Sequence, residues 1–350
     1  MFMNGDSTKT LLIQAGLFLL TLITTTLAGA ELCYGASVLS GEFSWGDFQN
    51  GLNYSVPFLF ILSVHEFGHY LVARHHRVNT SLPYYIPFYL PIIFPFSIGT
   101  LGALIRLRER PPSSTKNFDI GIAGPLAGFA AALVVLVFGL LTLPEPEYIF
   151  AIHPEYERFG LEYPKYVYEP GFAENILNIK LGDNLLFRFL SDVFADPARM
   201  PNANEIIHYP FLLAGYLSLV FTALNLLPIG QLDGGHVVYG LFGSKGHRII
   251  AISVFVLFVF FAGLGTFHPG VPSEELWITL VLYSGFLFFT FKGLRLSWQN
   301  TLILALIILI IQYVVVWLFP VLQGFGSWLL FAFILGRFIG IYHPPALAEE

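Results

Sequence analysis

The chain has 350 residues, of which 55% are apolar, 17% aromatic and only 11% charged, against roughly a quarter charged in soluble domains. A soluble fold with so little polar surface has nothing to cover its core with, so the bilayer is the natural solvent. The net charge of −6 argues against nucleic acid as a partner, and the single cysteine, Cys33, excludes an intrachain disulfide and a cysteine metal site.

The first apolar run follows Lys9 and extends from Leu11 to Ala28. Its end, Ala28-Gly29-Ala30, has the form of a signal-peptidase site, but a run of about 18 residues exceeds the usual 7–15-residue signal core. It reads as a retained span, and with the loop behind it forms a first region, 1–52. Further apolar stretches near the length needed to cross fall at 53–74, 119–143, 207–228, 249–265, 276–292, 301–320 and 325–341. The expected fold is therefore an all-α polytopic membrane protein of about eight transmembrane helices. With the N-terminus in the cytoplasm, twelve of the 17 basic residues fall in inside segments and the other five in one long loop, 144–206, where the positive-inside rule weighs little. That loop is expected outside, as small surface helices, with one amphipathic stretch at 184–195 marked by Phe187, Phe189, Leu190, Val193 and Phe194.

Two apolar segments resist a span reading. Residues 81–105 carry Pro83, Pro87, Pro91 and Pro95 with Gly99 and Gly102, too much proline for a helix. Strands and turns dipping into the membrane fit better, since irregular backbone at depth is tolerated where protein or a wet cavity covers it. The second is Pro228-Ile229-Gly230-Gln231-Leu232-Asp233-Gly234-Gly235-His236, which breaks the end of the fourth span.

His65-Glu66-Phe67-Gly68-His69 is an H-E-x-x-H motif. On a helix, positions i and i+4 share a face, so two imidazoles can hold one tetrahedral zinc. Glu66 can then take a proton from a water that the metal makes acidic. Three ionisable residues in five positions of an apolar span need a compensating partner, because one charge at mid-span costs about 2.5–3.5 kcal/mol on insertion scales. A third ligand is required, and Asp233 is the candidate. It can alternatively cap a helix starting at Gly234, and His236 is an alternative ligand. His75, His76, His153, His208, His247, His268 and His343 have no ligand-spaced partner in an apolar span and read as surface or interface residues.

These motifs resemble the site-2 protease family of intramembrane zinc metalloproteases (peptidase M50-like), most nearly its EGY-like branch without a PDZ domain. The family pairs H-E-x-x-H with N-x-x-P-x-x-x-L-D-G in a later span, which here reads Asn225-Leu226-Leu227-Pro228-Ile229-Gly230-Gln231-Leu232-Asp233-Gly234. The likeness extends to Gly121-Ile122-Ala123-Gly124-Pro125-Leu126-Ala127-Gly128 and covers about 53–243, the expected catalytic core. Residues 244–350 would add C-terminal spans. The resemblance implies one Zn²⁺ per chain on His65, His69 and Asp233, with Glu66 as catalytic acid and base. It implies regulated intramembrane proteolysis, in which peptide bonds are hydrolysed in or near the span of a membrane-protein substrate. It places Asn225 near the substrate backbone or oxyanion, where an interhelical hydrogen bond is the alternative. It makes Gly99-Thr100-Leu101-Gly102-Ala103 part of a membrane-associated β-hairpin near the active site, open to strand addition, with a plain turn as the alternative. The glycines at 121, 124 and 128 read as close helix packing. A bacterial inner membrane is the expected location, and a zinc transporter or an inactive membrane scaffold are the rival functions.

Overall fold

A computed structural model describes residues 8–92, 97–168, 184–270, 272–326 and 328–344. Residues 93–96 of the expected 81–105 segment, Pro95 among them, and 169–183 of the expected 144–206 loop lie outside the described residues. Helices dominate. α1 (Thr8–Tyr34) is followed by α2 (Trp45–His75), a hairpin of β1 (Tyr84–Pro87) and β2 (Thr100–Leu104), and α3 (Ser114–Leu141). Short 3-10 turns and the four-residue α4 (Pro164–Val167) lead to α5 (Leu185–Phe194) and α6 (Pro210–Asn225). Then come α7 (Asp233–Ala262), α8 (Ser273–Phe291), α9 (Trp298–Leu318) and α10 (Trp328–Ile334), the last continued by a π-turn at Leu335–Ile339.

Six helices among the described residues, α1, α2, α3, α7, α8 and α9, are long and apolar enough to cross a membrane. The other two of the eight expected stretches form shorter apolar helices among the described residues. The stretch at 207–228 forms a helix of 16 residues, and that at 325–341 an apolar helix at Trp328–Ile339. Both fall short of the roughly 17–25 residues a span requires. Proline explains one limit: Pro210 opens α6, where its missing N–H costs nothing. Gly340 explains another, since its φ of 87° ends the last helix. The fifth span is in turn longer than expected, because α7 runs back to Asp233 through a break at Gly243 (φ 64°, ψ −173°). Large apolar side chains left exposed along the long helices, such as Leu19, Val134, Leu257 and Ile310, face where lipid would lie.

By internal contacts the chain forms two compact units. The first comprises Met1–Glu109 and Ala123–Leu224. Here α1 and α2 approach so closely that a methyl on Gly29 would meet the Gly51 carbonyl oxygen at 2.6 Å. Small residues of this kind let membrane helices touch backbone to backbone. A buried hydrogen bond between Thr25 Oγ1 and Ser55 Oγ (2.5 Å) joins the same pair. α3 and α6 pack through Leu136, Leu140 and Leu212, and α5 adds Phe187 and Leu190 to that core. The amphipathic helix expected at 184–195 is thus present, capped by Asn184, whose side chain accepts from the Phe187 N–H at 2.8 Å.

The second unit comprises Arg110–Ile122 and Asn225–Glu350. Its core gathers Phe255, Val259, Leu287, Phe291, Ala305 and Leu335. One polar link crosses it: Tyr283 donates to Gln312 Oε1 (2.9 Å), and Gln312 Nε2 donates to the Phe260 carbonyl (2.7 Å). Lipid supplies no partner there, so Tyr283 and Gln312 are satisfied by each other and by the α7 backbone.

Candidate metal centre

The H-E-x-x-H motif sits well inside α2, a helix of 31 residues. Its start is fixed by a capping box: Ser44 Oγ accepts from the Asp47 N–H, and Asp47 Oδ2 accepts from the Ser44 N–H at 2.8 Å. Four residues make one turn and a little more, so His65 and His69 stack on one face. Both are 6% exposed and Glu66 is 5% exposed. Their Nε2 atoms lie 3.1 Å apart. Two nitrogens bound to a tetrahedral zinc at about 2.0–2.1 Å stand about 3.3 Å apart, so the donor pair fits that ion.

The opposing wall is the glycine face of α3. A methyl on Gly124 would overlap the imidazole of His69 at Nε2, and one on Gly128 would stand 2.9 Å from His65 Cβ and Nδ1. From the other side, a methyl on Gly68 would come within 2.7 Å of the Ala123 carbonyl oxygen. The close packing expected of this glycine series is present, and it serves a defined end. The rings of both histidines occupy the volume where side chains of α3 would otherwise be.

The hairpin is anchored beside this helix. β1 and β2 are antiparallel, with Tyr84 opposite Leu104, Tyr85 opposite Ala103 and Pro87 opposite Thr100, and an irregularity between Tyr85 and Pro87. The Tyr85 hydroxyl is 2.7 Å from Ser63 Oγ, two residues before His65. Thr100 Oγ1 donates to the Ile86 carbonyl at 2.7 Å and accepts from the Gly102 N–H at 3.0 Å. Gly99 and Gly102 both have positive φ, 88° and 103°, which favours glycine. They differ in surroundings. A methyl on Gly99 would run into the α1 backbone at Thr24 and Thr25, whereas one on Gly102 would meet nothing within 4 Å. Leu101 and Leu104 of β2 are exposed.

In the second unit, Asn225 is half-buried at the end of α6, and α7 begins at Asp233 with Leu232 as its cap residue. Asp233 is therefore the first residue of the helix rather than its cap. Gly234 and Gly235 are buried against the backbone of Leu226 and Gly230, leaving no room for a side chain at either position. Gly121 packs here too: its added methyl would be 2.6 Å from His236 Cβ and 3.3 Å from the Asp233 carbonyl oxygen. His236 Nδ1 lies 3.1 Å from Asn117 Oδ1 and 2.7 Å from His343 Nε2. The alternative third ligand is thus engaged by Asn117 and His343. Neither Asn117 nor Tyr85 was marked by any spacing in the sequence, because each meets its partner across a long sequence separation.

The first unit brings His65, Glu66 and His69 together with the hairpin; Asp233, Asn225 and His236 belong to the second. Residues 53–267 match the family model described as Peptidase family M50. The chain belongs to peptidase family M50. This is the site-2 protease family, as the two motifs implied. Among M50 relatives, "Probable zinc metalloprotease EGY1, chloroplastic" of Oryza sativa subsp. japonica is 31% identical over 67% of this chain and 34% of its own length. Its Arabidopsis thaliana namesake is 29% identical over 56% of this chain and 31% of its own length. "Probable zinc metalloprotease EGY2, chloroplastic" of Arabidopsis thaliana is 24% identical over 67% of this chain and 35% of its own. The matched part spans about a third of these relatives. No solved structure matches. Family and apolar helices together make this M50 chain an integral membrane protein.

Proposed function

We propose that this M50 chain is an intramembrane zinc endopeptidase that cuts membrane-protein substrates in or near their spans. The observation that carries the reading is the buried pair of imidazoles, Nε2 to Nε2 at 3.1 Å, with Glu66 between them in sequence. The relatives' names, zinc metalloproteases, agree with it. His65 and His69 would hold the zinc with Asp233 as third ligand, a set of three that suits a catalytic rather than a structural zinc.

Zinc in such a site supplies Lewis-acid polarisation of a carbonyl and a water acidic enough to ionise near neutral pH. Beside a metal so held, the Glu66 carboxylate would be the acid–base group, placed to accept a proton from water and to give one to the leaving amine nitrogen. Asn225 offers its amide as a donor to the substrate backbone or the developing oxyanion. A helical substrate hides its peptide bonds, so it must unwind. β2 pairs with β1 on one side, and the two form the only sheet among the described residues. Its other edge, in the stretch where Leu101 and Leu104 are exposed, would offer an unwound segment a strand to pair with in place of its lost hydrogen bonds. The bilayer is its solvent and a membrane-spanning protein its partner. The orientation with the N-terminus in the cytoplasm rests on the basic residues alone. A bacterial inner membrane gains no support from relatives with chloroplast names.

Co-expression with a library of tagged single-span proteins tests the reading. Fragments seen with the wild type and absent with Glu66→Gln are expected. Identical fragment patterns in both would remove the catalytic assignment and favour a scaffold.

A further inference from the structure

A second group of side chains, outside the motif, converges in the same way. His153, Glu205 and His208 each present one ligand atom, all within 4.8 Å of one another. The Nε2 atoms of His153 and His208 lie 3.2 Å apart, and Glu205 Oε2 is 3.4 Å from His208 Nε2. Three segments build this. His153 precedes Pro154 at the head of the 3-10 helix Pro154–Glu162. Glu205 and His208 bracket the 3-10 turn Ile206–His208 just before α6. In a 3-10 turn residues three apart eclipse one another, which is why the carboxylate and the imidazole stand together.

The outer partners fix which atoms are left facing inward. His208 Nδ1 is 2.8 Å from the Cys33 carbonyl oxygen at the end of α1. A carbonyl only accepts, so Nδ1 carries the proton and Nε2 presents a lone pair. His153 Nδ1 is 3.0 Å from the exposed carboxylate oxygen of Glu155 and donates to it; in the neutral ring its Nε2 then presents a lone pair. Glu205 Oε1 accepts from the Tyr168 hydroxyl, leaving Oε2 as the inward atom. Glu205 is 2% exposed. With both rings neutral, three acceptors meet around His208 Nε2, at 3.2 Å from His153 Nε2 and 3.4 Å from Glu205 Oε2. That juxtaposition is unfavourable without a cation, and outer hydrogen bonds to a carbonyl or carboxylate are what metal-ligating histidines have.

We propose that His153, Glu205 and His208 form a second divalent-cation site, of the zinc class, independent of the H-E-x-x-H pair. Two imidazole nitrogens and one carboxylate oxygen suit zinc, and the nitrogen separation is near the roughly 3.3 Å of a tetrahedral pair. The site ties the 3-10 turns after α3 to the ends of α1 and α6. Its role is to hold that segment in place.

Zinc content of the purified full chain, loaded with Zn²⁺ alone and dialysed, decides the matter. Two equivalents are expected for the wild type, one for His65→Ala/His69→Ala, and one for His153→Ala/His208→Ala. Glu205→Gln keeps the size and the Tyr168 contact and is expected to weaken the second equivalent at least 10-fold. A His153→Ala/His208→Ala chain that keeps the full wild-type zinc overturns the proposal, as does a folded His65→Ala/His69→Ala chain that binds none. If the doubly substituted loop variant does not fold, Glu205→Gln on the His65→Ala/His69→Ala background gives the answer, and unchanged zinc affinity there overturns it. Loss of zinc with the loop variant but not with the motif variant would sink the catalytic metal centre and leave this site standing.

Discussion

Two pairs of imidazoles in this chain face one another at almost the same distance, 3.1 Å for His65 and His69 and 3.2 Å for His153 and His208. They are built in opposite ways. The first pair is local: four residues of one helix, in register because the helix repeat puts them there. The second is assembled by tertiary structure, from positions 55 apart, with a backbone carbonyl of α1 setting the tautomer of one ring. The difference teaches that a metal pair is legible in a sequence only when secondary structure alone fixes its geometry. The same donor arrangement made by loops leaves no spacing to read.

The largest effect expected is on the local pair. Glu66→Gln should lower proteolysis by roughly 10²–10⁴-fold, the usual worth of a positioned acid–base group, while both zinc equivalents stay bound. Fragment formation from a tagged substrate together with metal content checks this. A zinc loss on Glu66→Gln would mean that the carboxylate is a ligand rather than a proton carrier.

Next comes the wall behind the pair. Gly124→Ala puts a methyl where His69 Nε2 lies, so the ring must move. Zinc affinity of the motif site should fall by about 10–100-fold, the scale seen when the surroundings that orient a ligand are disturbed. The His153–His208 pair should be unaffected. Titration with a chromophoric chelator separates the two, and equal weakening of both would break the comparison between them.

Smaller again is the loop pair's effect on local order. Stripping metal from the His65→Ala/His69→Ala chain should speed proteolytic nicking of the segment between α3 and α6 several-fold, because opening there would no longer be opposed by a bound ion. Unchanged nicking would show that the ion does not hold the segment. The smallest changes lie far from both pairs. Ser44→Ala removes the capping box of α2 and should cost about 1 kcal/mol without altering zinc stoichiometry. Gly285→Ala, where an added methyl meets nothing within 4 Å, should stabilise α8 by about 0.5–1 kcal/mol, read as a shift in detergent unfolding midpoint.

Much of this molecule was open to reading residue by residue. The apolar runs gave the long helices, because burial of a continuous stretch in lipid needs only length and composition. Pro83, Pro87 and Pro91 excluded a helix where the hairpin forms. Asn184 and the Phe187–Phe194 stretch marked α5. The run at 207–228 misled on length, since Pro210 and the turn after Asn225 limit α6 to less than the apolar run suggests.

By itself the sequence determined the family, the helix that carries His65, Glu66 and His69, and the break between Asn225 and Asp233, because each follows from neighbours within a turn or two. Tertiary structure alone decided that Gly124 and Gly128 make room for the imidazoles, that Ser63 meets Tyr85, and that His153 finds Glu205 and His208. The physical reason is separation along the chain. Side-chain periodicity orders residues a few positions apart, whereas groups that meet across tens of residues are placed by how whole helices pack, and no local pattern records that.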